Sequence, residues 1–283
     1  MKRQDHSPRA NRNRILKDLS EFSLVTAIEA NMFEFFELFE RWPRAEVHDD
    51  PDMLWTITDV PFPMFNSIFR AHLSNPDAAI ETAIARCRRR NVPMMWWTGP
   101  STQPTGLGIT LEGFGFTSDE AIGMAADLHS LPREVSTPPG LVIQRVADIE
   151  TMKKWCHALC AGFGMPGFVG EAFLDFFRSI GFDSQPKFRH YIGWLNHEPV
   201  STSLVFLAAG VAGIYCVATV PKARKGGIGS AMTLIPLREA HTLRYRIGIL
   251  HSSRMGVNVY HGLGFREYCK IGQYVWLNQQ VSK

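Results

Sequence analysis

The sequence predicts an α/β chain in two parts, and three observations carry that prediction. Beyond residue 140, strand-like and helix-like segments follow in the order β-α-α-β-β-β-α-β-α-β. One junction among them, Val217–Met232, joins an apolar run, a glycine-rich turn and a helix start. Ahead of this half stands Leu131–Gly140 (LPREVSTPPG), with three prolines, a glycine and no periodicity, the composition of a linker. The 283 residues therefore divide into a basic tail over 1–14, a first α/β part over 15–130, the linker over 131–140 and a second part over 141–283.

The elements follow in order. Residues 1–14 are polar and charged and are expected to be mobile. Over Ile15–Arg41 apolar residues recur at helical spacing (Leu19, Phe22, Val25, Ile28, Met32, Phe35, Phe36, Phe39), which predicts one or two helices with that stripe in the core. Leu54–Thr58 reads as a strand and Ala78–Arg89 as an amphipathic helix. The basic run Arg86, Arg88, Arg89, Arg90 at its end suits a solvated face near the negative end of the helix dipole. Pro93–Thr98 reads as a buried strand, Thr105–Glu112 as a short helix and Gly123–Leu128 as a strand.

In the second part, Leu141–Val146 reads as a strand and Asp148 as the cap of a helix running to about Leu159. Another helix spans Glu171–Ile180, after the glycine- and aromatic-rich loop Gly162–Phe168, which serves equally as a turn or as an adjustable pocket wall. Arg189–Trp194 and Pro199–Phe206 form a hairpin around Asn196-His197-Glu198. Ala212–Val220 leads into the junction, Arg246–Ser253 is a buried strand after its helix, and Cys269–Trp276 is the last strand. Pro236 falls inside the helix that follows the junction. An interior proline loses a hydrogen bond and costs about 3 kcal/mol, so a kink or a break is expected there.

The junction is built to hold phosphate: successive N–H groups converge on an anion at a helix start, and glycines allow close approach. It is not a Walker A loop, because Lys225 precedes the glycines. It is not a dinucleotide fingerprint either, because Met232 stands where the third glycine belongs. It reads R-x-x-G-x-G, through Arg224, Gly227 and Gly229. Downstream, Ser253, Gly256, Tyr260, Leu263, Gly264 and Phe265 complete S-x-x-G-x-x-φ-Y-x-x-L-G-F, where φ is an apolar residue.

Together these two blocks, over Tyr215–Phe265, resemble the GCN5-related N-acetyltransferase (GNAT) superfamily. The resemblance implies a mixed sheet, a GNAT acyl-CoA N-acyltransferase fold in the second part, and acetyl-CoA or another acyl-CoA as co-substrate without a metal. The amides of Lys225, Gly226, Gly227, Ile228, Gly229 and Ser230 would hold the pyrophosphate, with Arg224 adding charge or serving structure. Val217, Ala218, Thr219 and Val220 would pair with the pantetheine arm where their strand splays from its neighbour, and Ser253 stands where relatives place an asparagine on the cofactor. Tyr260 occupies the position of the acid that protonates the departing thiolate. The base is open among His190, Glu198, His251 and Glu171. The expected function is acetyl transfer to an amine of a small molecule or peptide; the alternative is a non-catalytic acyl-CoA sensor.

The first part repeats helix–strand–helix–strand and ends in Leu111-Glu112-Gly113-Phe114-Gly115-Phe116, an echo of Tyr260–Phe265. It has neither R-x-x-G-x-G nor the tyrosine, and resembles a GNAT-like unit that has lost its cofactor site; a plain α/β cap is the other reading. Composition narrows the partners. A net charge of +3 does not argue for nucleic acid. Five cysteines without a Cys-x-x-Cys pair argue against a disulfide framework and against zinc. No run reaches the roughly 18 apolar residues of a membrane span, and the basic N-terminus lacks an apolar signal core, so a cytoplasmic location is expected. A homodimer is open, and a two-part chain can equally imitate one internally.

Overall fold

The computed structural model describes residues 14–182 and 186–278. The basic tail, apart from Arg14, lies outside the described residues. Seven helices and eleven strands are found among them: α1 (Glu21–Glu37), β1 (Glu46–Asp49), β2 (Met53–Ile57), β3 (Ser67–Ala71), α2 (Pro76–Arg90), β4 (Met94–Thr98), α3 (Leu107–Gly113), β5 (Thr117–Asp127), β6 (Leu141–Arg145), α4 (Ile149–Phe163), α5 (Gly167–Ile180), β7 (Phe188–Leu195), β8 (Glu198–Ala208), β9 (Val211–Thr219), α6 (Ile228–Thr242), β10 (Ile247–Ser252), α7 (Val257–His261) and β11 (Arg266–Trp276). No helix among the described residues is long and apolar enough to cross a membrane.

Local chemistry accounts for most boundaries. Ser20 caps α1, Asn75 caps α2 ahead of Pro76, and Asp148 caps α4, each side chain accepting an N–H of the first turn. Gly164 and Gly181 end α4 and α5 in the left-handed conformation. The β7–β8 hairpin turns on Asn196 and His197, both at positive φ, so the loop has two residues and Glu198 already belongs to β8. Of the kink or break expected at Pro236, the break does not occur: helix α6 runs as one helix through it. Its neighbours Met232, Leu234 and Leu237 are all at most 1% exposed, and that packing holds the helix through the missing bond.

All eleven strands form one mixed sheet in the order β1-β2-β3-β4-β11-β5-β10-β9-β8-β7-β6. The two parts exchange their last strands. β11 lies between β4 and β5 of the first part, and β5 lies between β10 and β11 of the second, antiparallel to each neighbour. About this central β5–β11 pair the sheet repeats itself: β3 and β4 are parallel on one side, β9 and β10 on the other. The echo of L-x-G-F-G-F is part of the repeat, since Gly115 and Gly264 both turn at positive φ between a short helix and an exchanged strand.

Helices α1, α4 and α5 cover one face of the sheet, where Phe35, Phe36, Phe39, Trp42, Phe176 and Phe206 build an aromatic core shared by both parts. On the other face α6 packs on the second part and α2 and α3 on the first. The stripe of α1 is core only from Leu24 onward; Phe22 is 82% exposed and Leu19 38%, because the helix starts at Glu21 and its first turn overhangs the sheet. The basic run of α2 is partly occupied with aromatics: Arg86 lies 3.8 Å over Trp55, and Arg88 lies 5.5 Å from the Trp276 ring centre.

Candidate active site

The junction folds as a loop whose amides are left unused. Gly227 caps α6 at φ 77 with no side-chain cap, and Lys225 is also left-handed at φ 68. Among the described residues, no hydrogen bond uses the amides of Lys225, Gly226, Gly227, Ile228, Gly229 or Ser230. The first bond of the helix is Ala231 N–H to Gly227 O, 3.1 Å. Two glycines serve opposite purposes. A Cβ on Gly227 would overlap the carbonyl oxygen of Ser136, so the linker packs against the back of the loop. A Cβ on Gly229 would meet nothing within 4 Å, so that flank is open.

The two cations differ as well. Arg224 is committed to the scaffold: Nε donates to Thr219 O (3.0 Å) and Nη2 to Gly162 O (2.7 Å), tying the loop to β9 and to the end of α4. Of the two roles left open for Arg224, added charge or structure, these bonds are those of structure. Lys225 is exposed, and no hydrogen bond or ion pair among the described residues engages its ammonium.

β9 carries the second half of the site. It pairs with β8 as far as Thr219, but its parallel pairing with β10 ends at Ile214↔Leu250. The divergence has a cause in the backbone. Opposite Thr202–Leu204 of β8, β9 holds an extra residue, with Cys216 at φ 55, and such a bulge bends the strand. Past it, Thr202 Oγ1 donates to Cys216 O (2.8 Å) and Ser201 Oγ to Ala218 O (2.5 Å), fastening β9 to β8. Beyond Ile214 no residue of β10 pairs with β9, which leaves a gap beside Val217, Ala218 and Thr219, although Thr219 O accepts Arg224 Nε; Val220 lies past the strand with its N–H on Val200 O (2.9 Å).

Tyr215 and His251 are the first residues beyond the last β9–β10 pair, with ring centres 6.0 Å apart. The Tyr215 hydroxyl donates to Asn31 Oδ1 (2.7 Å), and Asn31 Nδ2 donates to Ala208 O (2.9 Å). Gly213 makes room for that asparagine, since a Cβ there would overlap Oδ1. His251 lies opposite Gly123 of β5, and Cys269 Sγ fills the space that Gly123 leaves. Asn31 and Gly123 both come from the first part of the chain. Nothing in their local sequence marks them, because an α1 asparagine and a strand glycine acquire this role only through the exchanged strands.

Tyr260 stands on α7, 6.0 Å from the Phe265 ring centre, and no described group bonds its hydroxyl. Burial pushes its pKa up to about 12, so the phenol stays protonated near neutral pH. Ser253 is exposed, and its carbonyl accepts Gly256 N–H (2.9 Å) and Ser252 Oγ (2.8 Å). The four base candidates separate by position. His190 is 2% exposed among Trp155, Phe177 and Phe188, and burial first, then the charge of Arg145, pushes its pKa down to about 3. Glu198 pairs with Lys222 on the surface, and Glu171 is exposed on α5. His251 alone flanks the gap.

The first part holds the counterpart of this site, closed. β3 has a bulge between Leu54 and Trp55 of its partner, and its pairing with β4 ends at Ile68↔Trp96. There the chain itself occupies the free edge: Gln103 N–H donates to Ala71 O (2.8 Å) and Leu73 N–H to Gln103 O (2.9 Å). Glu29, 6% exposed, holds that segment by accepting Ser101 N–H and Oγ–H. The start of α2 is closed by Asn75 in place of free glycine amides.

No protein-family model matches the sequence, and no curated protein resembles it in sequence. Solved structures do resemble the fold. A GCN5-related N-acetyltransferase from Kribbella flavida has a TM-score of 0.66 at 15% identity, over 90% of this chain and 97% of that one. A GCN5-related N-acetyltransferase from Sphaerobacter thermophilus has a TM-score of 0.59 at 15% identity, over 93% and 94%. A tandem GNAT protein from the clavulanic acid biosynthesis pathway has a TM-score of 0.54 at 12% identity, over 93% and 96%. The chain therefore has the fold of the GCN5-related N-acetyltransferases in its two-part form, with one site open and its counterpart closed.

Proposed function

We propose that this chain is an acetyl-CoA-dependent N-acetyltransferase that acylates an amine of a small molecule or peptide by direct attack on the thioester. The observation that supports this most is the meeting, in one place, of a helix start with unused amides and a strand edge left open beyond Ile214. The amides of Lys225–Ser230 fit a diphosphate, and the Lys225 ammonium adds charge. The edge of β9 that β10 leaves unpaired beyond Ile214, beside Val217 and Ala218, fits an extended arm bearing amides. Acetyl-CoA supplies both of these features and an activated acyl group.

Tyr260 then serves as the proton donor to the departing sulfur. Its raised pKa keeps the proton on the phenol until an anion forms beside it, and the apolar surroundings that disfavour a tyrosinate disfavour a thiolate too. The closed site of the first part leaves one binding site per chain. Titration calorimetry is expected to give one acetyl-CoA per chain, and a melting screen is expected to show stabilisation by acetyl-CoA but not by ATP or NAD. Tyr260→Phe is expected to bind acetyl-CoA as the wild type does and to turn over about 100-fold more slowly. Stabilisation by ATP or NAD alone would refute the reading. Acetyl-CoA binding with no turnover on any amine would leave the sensor instead.

A further inference from the structure

The acetyltransferase reading leaves the proton of the attacking amine without an acceptor, and the structure singles out one group for it. The first observation is place. β9 and β10 part after Ile214 and Leu250, so Tyr215 and His251 stand at the apex of the gap, one on each strand. The second is an orphaned nitrogen. Nε2 of the His251 ring is out of solvent contact and has no hydrogen-bond partner among the described residues, and the nearby backbone carbonyl of Ile28 favours a proton on the ring. In a neutral imidazole one nitrogen carries the proton and the other a lone pair, and an unpartnered Nε2 is free to be the acceptor.

The third observation is the surroundings. From β9 the ring faces Tyr215, whose hydroxyl is turned away to Asn31. Across Gly123 lies Cys269, whose thiol burial pushes up to about 12. Glu29, farther along α1, is engaged by Ser101. No carboxylate pairs with the imidazole among the described residues, and burial pushes its pKa down to about 4. The ring is therefore neutral, with its lone pair available, throughout the neutral range.

We propose that Nε2 of His251 accepts the proton of the attacking amine, an assignment that rests on the acetyltransferase reading. As the C–N bond forms, the amine nitrogen becomes acidic and passes one proton to Nε2; as the C–S bond breaks, Tyr260 gives a proton to the sulfur. The products are an amide and a free thiol. The imidazolium and the tyrosinate then return to their starting forms by proton exchange with water. Because the ring is a weak base, it acts on the nitrogen already attacking and not on a free ammonium ion.

The test uses the full chain with ring-15N-labelled histidine, the His251 signals being those lost in His251→Asn. The asparagine keeps a donor for Ile28 O and removes the base. The expected spectrum shows Nε2 unprotonated from pH 6 to 8.5, and its resonance moves when acetyl-CoA is added to saturation. With phenethylamine and with water as probe acceptors, His251→Asn is expected to release thiol about 100-fold more slowly, with the acetyl-CoA Kd within twofold, and to regain part of the rate with added imidazole. Protonated Nε2, or a resonance unmoved although calorimetry shows acetyl-CoA bound, overturns the assignment while leaving the acetyltransferase reading intact. A variant as fast as the wild type does the same. Failure of the wild type to bind acetyl-CoA overturns both.

Discussion

Replacing Gly229 by alanine separates the folding of the phosphate loop from its use. Gly229 sits in the first turn of α6, its φ is not in the left-handed region, and a Cβ built there meets nothing within 4 Å. The folded chain therefore loses nothing, and the unfolded chain loses the conformational freedom of glycine. The expected gain is about 0.5–1 kcal/mol, which for a chain of this size raises Tm by about 1–4 °C. On the proposed reading the open space is also where a diphosphate lies to reach the free amides, so the added methyl costs affinity. We expect acetyl-CoA binding at least about tenfold weaker, or about 1.4 kcal/mol. Denaturation and titration calorimetry on the same preparation read both quantities. A variant that is more stable yet binds acetyl-CoA as well as the wild type would falsify the assignment of this loop. A destabilised variant would show that the flank is not open.

Two further outcomes are expected. His190 is neutral in the folded chain and its pKa is depressed to about 3, so its contribution is fully present above about pH 6.5 and is lost as pH falls toward 3, where the unfolded chain takes up the proton. Between pH 7 and pH 5 this removes about 2 kcal/mol; His190→Phe should recover about that much at pH 5 relative to the wild type in urea titrations, and an equal pH dependence in both chains would count against it. Asn31→Ala removes the acceptor of the Tyr215 hydroxyl and a donor to Ala208 O at a fully buried position, and should cost about 1–3 kcal/mol in the same assay; an unchanged midpoint would show that these bonds do not hold α1 to the sheet.

Much of the site is legible in the chain because its parts are local. A loop whose function rests on backbone amides needs glycines at fixed offsets and a helix to follow, and Gly227, Gly229 and the α6 start stand in register along the sequence. Capping is similarly short-range, which is why Asp148 reads correctly as the start of α4. Elements stabilised from a distance read less well. β1 and β3 have no strong pattern of their own and exist because β2 lies between them. For Arg224 the sequence leaves a charge contact and a structural role both open, and its brace to Gly162 O is not legible because that carbonyl arrives from a helix sixty-odd residues earlier. Pro236 reads as a kink or a break, and packing on both sides of it keeps the helix continuous.

By itself, then, the sequence determined the strand–glycine–helix junction and the tyrosine that follows it, since each is written in neighbouring residues and obeys local backbone rules, and it left the first part open between a related half and a plain α/β cap. Only the tertiary structure decided that the halves exchange β5 and β11, that the first site is filled by Gln103, and that Asn31, Gly123 and His251 meet at one gap. The physical reason is that strand exchange and gap filling are contests between distant segments for the same backbone edge. Their outcome depends on which segment brings the free groups into reach, a quantity no local pattern of residue types contains.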